Sequence, residues 1–341
     1  MPSNNETNMN RITPLKTAVV GVGSLGRHHL RWHSQLDCCE LVGLYEIDRD
    51  RAAKYAAEYN ITAFESLDQL ADAVDCVSVV VPTSVHYEVA IELVERGIHC
   101  LIEKPVTATY EQGQKLLAAA AKSGAKLAAG QIERFNPAVL ALKNTEVRPS
   151  FIEAHRLAAF DPRGTDVAVV LDLMIHDVDL ALMFIGAPIA NIQASSVAVV
   201  SDQPDIANAR LTFENGAVAN LTASRISLHA MRKLRIFQKS GYYSLDLAAK
   251  QADLYSLAQP GQATEGMRVP LGKSGQDLVY LKRQDSGQDM LGTEIESFVK
   301  SVAANHDLTV PFAEGLESLR VALEIDRIGR ESFEKMLQNQ A

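Results

Sequence analysis

Lys104 and a group of polar residues around His176 are the side chains whose types and surroundings best suit chemistry. Lys104 lies at the end of a predicted strand over residues 99–105 and is followed by Pro105, which cannot continue a central strand. An ammonium group in that position can hydrogen-bond a hydroxyl group and stabilise the alkoxide that develops from it. The simpler alternative is an exposed lysine at a strand end that takes part in no reaction.

The second group lies on a long apolar helix predicted over residues 166–186. Asp172, His176 and Asp179 have the spacing i, i+4 and i+7, so they share one face of that helix. Because the neighbouring residues are apolar, we expect the helix to be buried and its polar stripe to find partners or to line a cleft. A histidine in such a place is more often a hydrogen-bonded core residue than a catalyst.

A glycine pattern near the N-terminus predicts a site for a dinucleotide. GVGSLG fits G-x-G-x-x-G and lies between a predicted strand over residues 17–23 and a predicted helix. Gly21 permits a tight turn, Gly23 lets a pyrophosphate approach the backbone, and Gly26 lets helix and strand pack closely. The N-terminus of the helix then offers free N–H groups to the phosphates. A glycine turn without a nucleotide is the alternative.

Glu46 ends the next predicted strand, 20 residues after Gly26. A carboxylate at this distance from the glycine loop accepts hydrogen bonds from the adenosine ribose of a dinucleotide. It would repel a 2′-phosphate, so the sequence favours NAD over NADP. Arg49 and Arg51 follow closely and could instead hold a 2′-phosphate.

Patterns for metals and disulfides are weak. His29 and His33 have i, i+4 spacing, which could bind a metal, but a solvated face of the first helix is the simpler interpretation. The cysteines show no C-x-x-C spacing and are predicted to be reduced, buried thiols: Cys38, Cys39, Cys76 and Cys100.

These residues are positioned by two different kinds of secondary-structure pattern. Strands and helices alternate with short connections over residues 16–132, which predicts a doubly wound parallel sheet. After residue 150, strand-like runs with turn signals follow the long helix, which predicts an α+β domain with a mostly antiparallel sheet. We therefore expect a disordered tail over 1–15, a dinucleotide-binding domain over 16–135 and an α+β domain over 136–341. A long loop is expected within 257–288.

Composition agrees with two ordinary globular domains. The chain has 341 residues, 47% of them hydrophobic, and a net charge of −9. This balance excludes a disordered chain and makes a general nucleic-acid binder a poor candidate. Apolar runs are too short to span a membrane, and the first residues lack the apolar core of a signal peptide. We therefore expect a cytoplasmic protein.

Four motifs in this order and spacing resemble the Gfo/Idh/MocA oxidoreductase family: GVGSLG, VVVPTSVH (79–86), EKP (103–105) and LDLMIHDVDL (171–180). The resemblance implies an N-terminal Rossmann domain and a C-terminal α+β domain built on a large open sheet. It implies an NAD(P)-dependent oxidation of an alcohol without a metal, with His176 as acid/base, Asp172 as a ligand of the substrate hydroxyl, and Asp177 and Asp179 as structural residues. The proton passes to His176 directly or through Lys104.

The family's motifs also indicate which residues bind the cofactor. This predicted set is Gly21, Gly23, Ser24, Leu25, Gly26, Glu46, Pro82, Thr83, His86, Glu103 and Lys104.

Further stretches are similar to the branch of the family that oxidises the 3-hydroxyl of UDP-N-acetylglucosamine in the biosynthesis of amino sugars for surface glycans and lipid A. They are QIERFNPAV (131–139), HRLAAFDPRGTD (155–166) and ANLTASRIS (219–227). A nucleotide sugar needs cations for its pyrophosphate, and Arg156 is one candidate. The predicted substrate-binding set is Arg134, Asn136, Arg163, Asp172 and Arg225.

The open sheet leads us to expect a homodimer or homotetramer. Its alternating apolar residues would otherwise face solvent: Ile192, Ala194, Val197, Val199, Ile236 and Tyr242. Two other functions stay open. One is a dehydrogenase of a free polyol or monosaccharide, similar to inositol dehydrogenases. The other is a non-catalytic nucleotide-sensing regulator, which the presence of Lys104, Asp172 and His176 disfavours.

Overall fold

The computed structural model of the chain describes residues 13–160, 167–258, 265–271, 275–284 and 287–340. The chain divides into two compact units, and it passes from one to the other after Gly130, Met290 and Ala313. Unit 1 consists of Met1–Gly130 and Leu291–Ala313, and unit 2 of Gln131–Met290 and Glu314–Ala341.

The described strands are β1 Leu15–Val20, β2 Cys39–Tyr45, β3 Thr62–Ala63, β4 Cys76–Val79, β5 His99–Glu103, β6 Leu127–Gly130, β7 Phe151–Leu157, β8 Ile189–Val197, β9 Ile206–Phe213, β10 Val218–Ser224, β11 Met231–Gln238, β12 Gly241–Asp246, β13 Gln251–Ala258, β14 Met267–Pro270 and β15 Asp277–Arg283. The described α-helices are α1 Gly26–Gln35, α2 Arg49–Tyr59, α3 Leu67–Ala71, α4 His86–Glu95, α5 Tyr110–Ser123, α6 Pro137–Leu140, α7 Ile175–Ile185, α8 Met290–Ala303 and α9 Phe312–Gln340.

Unit 1 is built on a parallel sheet, called sheet A, whose strand order is β3-β2-β1-β4-β5-β6. Its central strands are apolar and buried on both faces, as parallel strands covered by helices must be. The strand order reverses between β1 and β4, and ligands bind at such a switch point, beyond the carboxyl ends of the strands. Sheet A confirms the predicted Rossmann fold.

Residues 291–313 complete unit 1 at the edge of β6. The N–H of Ala129 donates to the carbonyl of Val310 at 3.2 Å, and Ala128 forms a bridge with Pro311. At the start of α8, Gly292 packs against the ring of Trp32, and a Cβ on this glycine would lie 2.9 Å from the indole. This segment therefore covers a strand edge that would otherwise be open.

Unit 2 is built on a nine-stranded sheet, called sheet B, with the order β14-β15-β13-β12-β11-β7-β10-β9-β8. Its neighbours are antiparallel except for the parallel pair β7 and β10, which confirms the predicted large, mostly antiparallel sheet. One face of sheet B packs against α7 through a core that includes Met174, Val178, Ile152, Leu221 and Leu234.

The other face of sheet B carries a row of aromatic side chains, called the aromatic row: Phe151, Phe237, Tyr242, Tyr255 and Tyr280. Each residue lies directly opposite the next on the neighbouring strand. The ring centroids are 5.7, 4.8, 5.6 and 4.9 Å apart along the row. Cross-strand aromatic pairs at these separations stabilise the pairing of the strands.

The described structure differs from the predicted local structure in three places. The helix expected over 166–186 begins, in its described part, with a π-helical turn at Val170–Met174, and only then continues as α7. Within 257–288, where a long loop is expected, the described residues also form the unpredicted strands β14 and β15, because the run Leu278–Leu281 is apolar enough to pair with β13. Ile236 faces the core and is fully buried, whereas Tyr242 lies on the opposite face.

Among the helices that the structure describes, none combines the length and apolar character needed to cross a membrane.

Candidate active site

The loop after β1 has the shape that a dinucleotide requires. Gly21 has φ +85°, and a Cβ there would lie 2.6 Å from the carbonyl oxygen of Val80. A Cβ on Gly26 would lie 1.9 Å from the carbonyl oxygen of Gly21, so α1 can only pack this closely on the loop with glycine at this position. Gly23 has no atom within 4 Å of where its Cβ would be, which leaves its backbone open to a pyrophosphate. These residues fit a dinucleotide.

Glu46 follows β2 and is buried beside this loop. Its Oε2 accepts the N–H of Val22 at 3.0 Å, and its Oε1 accepts the N–H of Asp48 at 3.1 Å. Arg51 donates to Glu46 at 3.2 Å and lies 2.9 Å from Asp48, while Arg49 donates to the backbone carbonyls after β3. Both arginines thus already have acceptors within unit 1.

A shallow cleft beside the glycine loop is lined by residues of both charges. The lining residues are Val22, Gly23, Ser24, Arg27, Asp48, Asp50, Arg51, Lys54 and Tyr55. Ser24 and Leu25, which belong to the predicted cofactor set, are both exposed at the start of α1. This cleft is where the adenosine half of a dinucleotide would bind, because it adjoins the carboxyl ends of β1 and β2.

Lys104 and Pro105 follow the carboxyl end of β5, on the same side of sheet A as the glycine loop, and the peptide bond between them is cis. The carboxylate of Glu103 turns back to accept the N–H of Lys104 at 3.2 Å from Oε2. Gly130, opposite Glu103 on β6, makes room for this carboxylate, since a Cβ there would lie 3.0 Å from it. Lys104 itself is half-buried.

Pro82 and Thr83 lie in the turn after β4, and His86 begins α4 directly afterwards. The His86 ring is buried, with Nδ1 2.9 Å from the carbonyl oxygen of Pro105 and Nε2 2.8 Å from that of Val81. Burial lowers the pKa of His86, and the hydrogen bonds to Pro105 and Val81 act against that shift.

His29 and His33 face the interior of unit 1, so the predicted solvated face is wrong. Nε2 of His29 lies 3.1 Å from Oε1 of Glu103, and Nε2 of His33 lies 2.9 Å from Oγ of Ser78. Both rings are fully buried, because α1 presents this face to sheet A. Burial, with a smaller contribution from His29, lowers the pKa of His33 to about 3.

In unit 2, Asp172 lies within the π-helical turn and is half-buried, whereas His176 lies in the first turn of α7 and is buried. Single π-helical turns inside helices occur often at functional sites. Asp177 and Asp179 are buried in ion pairs with arginines of the same unit, as is expected of structural residues.

Two of the predicted pyrophosphate ligands are arginines engaged in these buried ion pairs. Arg134 donates to both oxygens of Asp179 and to Glu314, and Arg156 donates to both oxygens of Asp177 and to Glu133. Burial lowers the pKa of each guanidinium, but the adjacent carboxylates outweigh it and raise both pKa values above the usual range.

Asn136, Arg225 and Arg163 complete the predicted substrate-binding residues. The Asn136 amide donates to Glu133 and to the carbonyl of Leu247, each at 2.9 Å, while its oxygen caps α6. Arg225 is buried and donates to the carbonyls of Val167 and Pro204. Arg163 lies outside the described residues.

Sequence reasoning missed two buried polar residues of unit 2. Glu133 accepts hydrogen bonds from Arg156 and Asn136, and only the short spacing to Asn136, three residues further along the chain, could have suggested one of these contacts. Gln131 is buried, and its side-chain amide finds no hydrogen-bond partner among the described residues. No pattern in the sequence indicates that burial.

Among the described residues, no three His, Cys, Asp or Glu side chains lie close enough together to hold a metal ion, and this includes the surroundings of His29 and His33.

A parallel sheet with a glycine loop of this shape and a buried carboxylate after its second strand defines a dinucleotide-binding Rossmann domain. Two family models match the chain: "Oxidoreductase family, NAD-binding Rossmann fold" over residues 15–131 and "GFO/IDH/MocA C-terminal domain" over residues 148–244. The protein belongs to the Gfo/Idh/MocA family of oxidoreductases, and it binds a nicotinamide cofactor.

Among individual relatives, the UDP-N-acetylglucosamine 3-dehydrogenase of Acidithiobacillus ferrooxidans is 38% identical over 323 residues, which cover 94% of this chain and 98% of that protein. A solved structure of that enzyme, GnnA, has a TM-score of 0.84 at 36% identity and covers 93% of this chain and 98% of its own. The scyllo-inositol 2-dehydrogenase (NAD(+)) of Bacillus subtilis is 26% identical over 62% of this chain and 68% of its own length.

Proposed function

We propose that this protein oxidises the 3-hydroxyl of UDP-N-acetylglucosamine, or of a closely related UDP-sugar, to a ketone with NAD. The observation that carries the proposal is the similarity to a UDP-N-acetylglucosamine 3-dehydrogenase along nearly the whole of both chains. The product would be a keto-sugar that an amination reaction can consume, as the synthesis of diamino sugars for surface glycans requires.

Three side chains carry the chemistry in this proposal. Lys104 hydrogen-bonds the reacting hydroxyl and stabilises the alkoxide, and Asp172 binds a hydroxyl of the sugar. His176 takes the hydroxyl proton, directly or through Lys104, because an imidazole has a pKa suited to proton transfer near neutral pH. A bound nicotinamide would accept the carbinol hydrogen as a hydride, which carries the two electrons of the oxidation, while the hydroxyl hydrogen leaves as a proton.

Cofactor contacts are proposed for the glycine loop, for Glu46 and for the loops that follow β4 and β5. NAD is favoured over NADP because the buried carboxylate of Glu46 lies where the adenosine ribose binds. The engagement of Arg49 and Arg51 with Glu46, Asp48 and backbone carbonyls supports the same choice.

Substrate binding remains a proposal for each predicted residue. Arg134, Asn136 and Arg225 have internal partners, so a structural contribution to the shape of unit 2 is the role that their contacts support. Arg163 stays a predicted ligand of the pyrophosphate. The cytoplasmic location and the homodimer or homotetramer formed through sheet B also stay predictions.

The decisive experiment incubates the purified protein with NAD and UDP-N-acetylglucosamine in the presence of hydroxylamine. The trap is needed because oxidation of an alcohol by NAD is uphill near neutral pH, and it converts the ketone to an oxime that mass spectrometry detects. An oxime that requires NAD and disappears in Lys104→Met supports the proposal. Turnover by Lys104→Met at the wild-type rate would exclude the role of Lys104.

A panel of inositols and free monosaccharides tests the alternative activity under the same conditions. Oxidation of an inositol in preference to the UDP-sugar would replace the proposal with a polyol dehydrogenase. Binding of NAD without turnover of any sugar would favour a nucleotide-sensing regulator.

A further inference from the structure

The two residues on either side of Lys104 are each held by a buried histidine of unit 1. Glu103, before Lys104, lies 3.1 Å from Nε2 of His29, and the carbonyl of Pro105, after Lys104, lies 2.9 Å from Nδ1 of His86. Both rings are buried.

His29 acts through the Glu103 carboxylate. One oxygen of this carboxylate meets His29, and the other accepts the N–H of Lys104 at 3.2 Å. Nε2 of His29 must therefore carry the hydrogen of its contact with Glu103, since a carboxylate only accepts. The absence of a side chain on Gly130 leaves the carboxylate room for this bridging position.

His86 acts through two backbone carbonyls. Its ring lies between the carbonyl of Val81, after β4, and the carbonyl of Pro105, after β5. Carbonyl oxygens only accept hydrogen bonds, so the neutral ring that burial favours donates to one of the two loops, and a ring with hydrogen on both nitrogens donates to both. Because both nitrogens face these carbonyls, neither is left for a bound molecule.

We propose that His29 and His86 are positioning residues that fix the backbone on the two sides of Lys104 and thereby aim its ammonium group. This inference rests on the proposed role of Lys104 in the reaction. The four rotatable bonds of a lysine side chain start at its Cα, so the position and direction of the backbone set the region that the ammonium group can reach. A displacement of about 1 Å at a reacting group can cost on the order of 100-fold in rate.

The test compares two amide substitutions that each keep one of the His86 contacts. The amide nitrogen of asparagine can replace Nδ1 and keep the hydrogen bond to Pro105, whereas that of glutamine can replace Nε2 and keep only the one to Val81. We expect His86→Gln to lower kcat about 10- to 100-fold with KM for NAD nearly unchanged, and His86→Asn to recover most of the loss. Likewise, His29→Gln should recover what His29→Leu loses, because glutamine can reach Glu103.

His33→Leu is the matched control on α1. His33 is as deeply buried as His29, but its partner is Ser78 within β4 rather than a neighbour of Lys104. We expect His33→Leu to destabilise the fold while kcat stays within about twofold. An equal loss of kcat in His33→Leu and His29→Leu would contradict the proposal, because it would show that replacing any buried histidine of α1 lowers kcat.

A second measurement needs no turnover. The rate at which trinitrobenzenesulfonate modifies Lys104, relative to the exposed Lys143, is followed by peptide mass spectrometry in the protein without cofactor. We expect this ratio to change at least threefold in His86→Gln and to return to the wild-type value in His86→Asn. Equal ratios in wild type and both variants would overturn the positioning role, even if Lys104→Met abolishes turnover. If Lys104→Met stays active, the proposed role of Lys104 in the reaction fails, and the labelling ratio still reports on positioning.

Discussion

Arg134 donates hydrogen bonds to both carboxylate oxygens of Asp179, from Nε and Nη2, at 2.7 Å each. Ser318 donates a further hydrogen bond to Asp179, and Glu314 accepts one from Arg134. A planar, two-pronged pair of this kind is rigid and directional. Arg134 therefore contributes to the architecture of unit 2, whatever it adds to substrate binding.

Removing one partner of this ion pair should lower the stability of the folded protein. We expect Arg134→Met to lower the free energy of unfolding by about 3–5 kcal/mol, because Asp179 would be left buried and uncompensated. Denaturant unfolding measures this loss. The control is Arg148→Ala, which breaks an exposed pair with Glu146 and should cost about 1 kcal/mol or less. Equal losses in the two variants would contradict the structural role of Arg134.

Two glycines of the dinucleotide loop should respond differently to alanine. In Gly26→Ala the new Cβ collides with the Gly21 carbonyl, so we expect both stability and cofactor binding to fall. In Gly23→Ala the methyl group enters open space, so we expect the melting temperature to stay within about 2 °C while NAD binding weakens at least tenfold. Calorimetry and titration of NAD separate the two effects. Unchanged NAD affinity in Gly23→Ala would exclude close approach of the pyrophosphate.

The cofactor preference should depend on the charge of Glu46. We expect Glu46→Gln to reduce the ratio of NAD to NADP affinity about 10- to 100-fold, since a charged hydrogen bond contributes about 1.5–3 kcal/mol and the repulsion of a 2′-phosphate is removed. Isothermal titration with each dinucleotide measures the ratio. Glu58→Gln, at an exposed position on α2, is the control and should leave it unchanged.

Acid should destabilise unit 1 in part through His33. Burial lowers the pKa of His33 from its ordinary value of 6.5 to about 3, so the unfolded chain binds a proton near pH 5 that the folded chain does not. The contribution of the neutral His33 ring to the free energy of unfolding is therefore fully present above about pH 6.5. It is lost as the pH falls, by about 2 kcal/mol between pH 7 and pH 5.

The measurement is the free energy of unfolding at these two pH values. We expect His33→Gln to remove about 2 kcal/mol of the pH-dependent loss, whereas His229→Gln, at an exposed position, should keep the wild-type pH dependence. An unchanged pH dependence in His33→Gln would contradict the burial of a neutral ring.

The aromatic row supplies the test of the predicted homo-oligomer. Its rings are only half-buried in a single chain, and a second copy on the same face of sheet B would cover them. We expect Tyr255→Lys to lower the molar mass measured by light scattering at micromolar concentration to that of one chain, and Tyr255→Phe to leave the oligomer intact. A wild-type protein that is monomeric at this concentration would exclude the prediction.

The sequence predicts sheet A well because strand–helix alternation is a local and repeated pattern. Five of its strands follow apolar runs, whereas β3 spans only Thr62–Ala63 and is too short to stand out. In unit 2 the π-helical turn before α7 escapes prediction, because residues 170–174 have the same apolar character as the helix that follows. The turn depends on tertiary packing rather than on local preference.

Predicting the site is limited by partners that lie far away in the sequence. Arg134 and Arg156 look like ligands for a phosphate because their carboxylate partners stand 45 and 21 residues further along the chain. His29 looks solvated because its partner, Glu103, is 74 residues away. By contrast, Gly21, Gly23 and Gly26 are recognisable because the turn they form is local.

The segment that covers the edge of β6 has a consequence for the order in which the protein is made. Residues 131–290 separate β6 from the segment that completes unit 1. At about 5–20 residues per second, the ribosome needs on the order of 10–30 s to bridge this interval. During that time the nascent chain carries the strands of sheet A, while the backbone N–H and C=O groups along the outer edge of β6 stay unpaired.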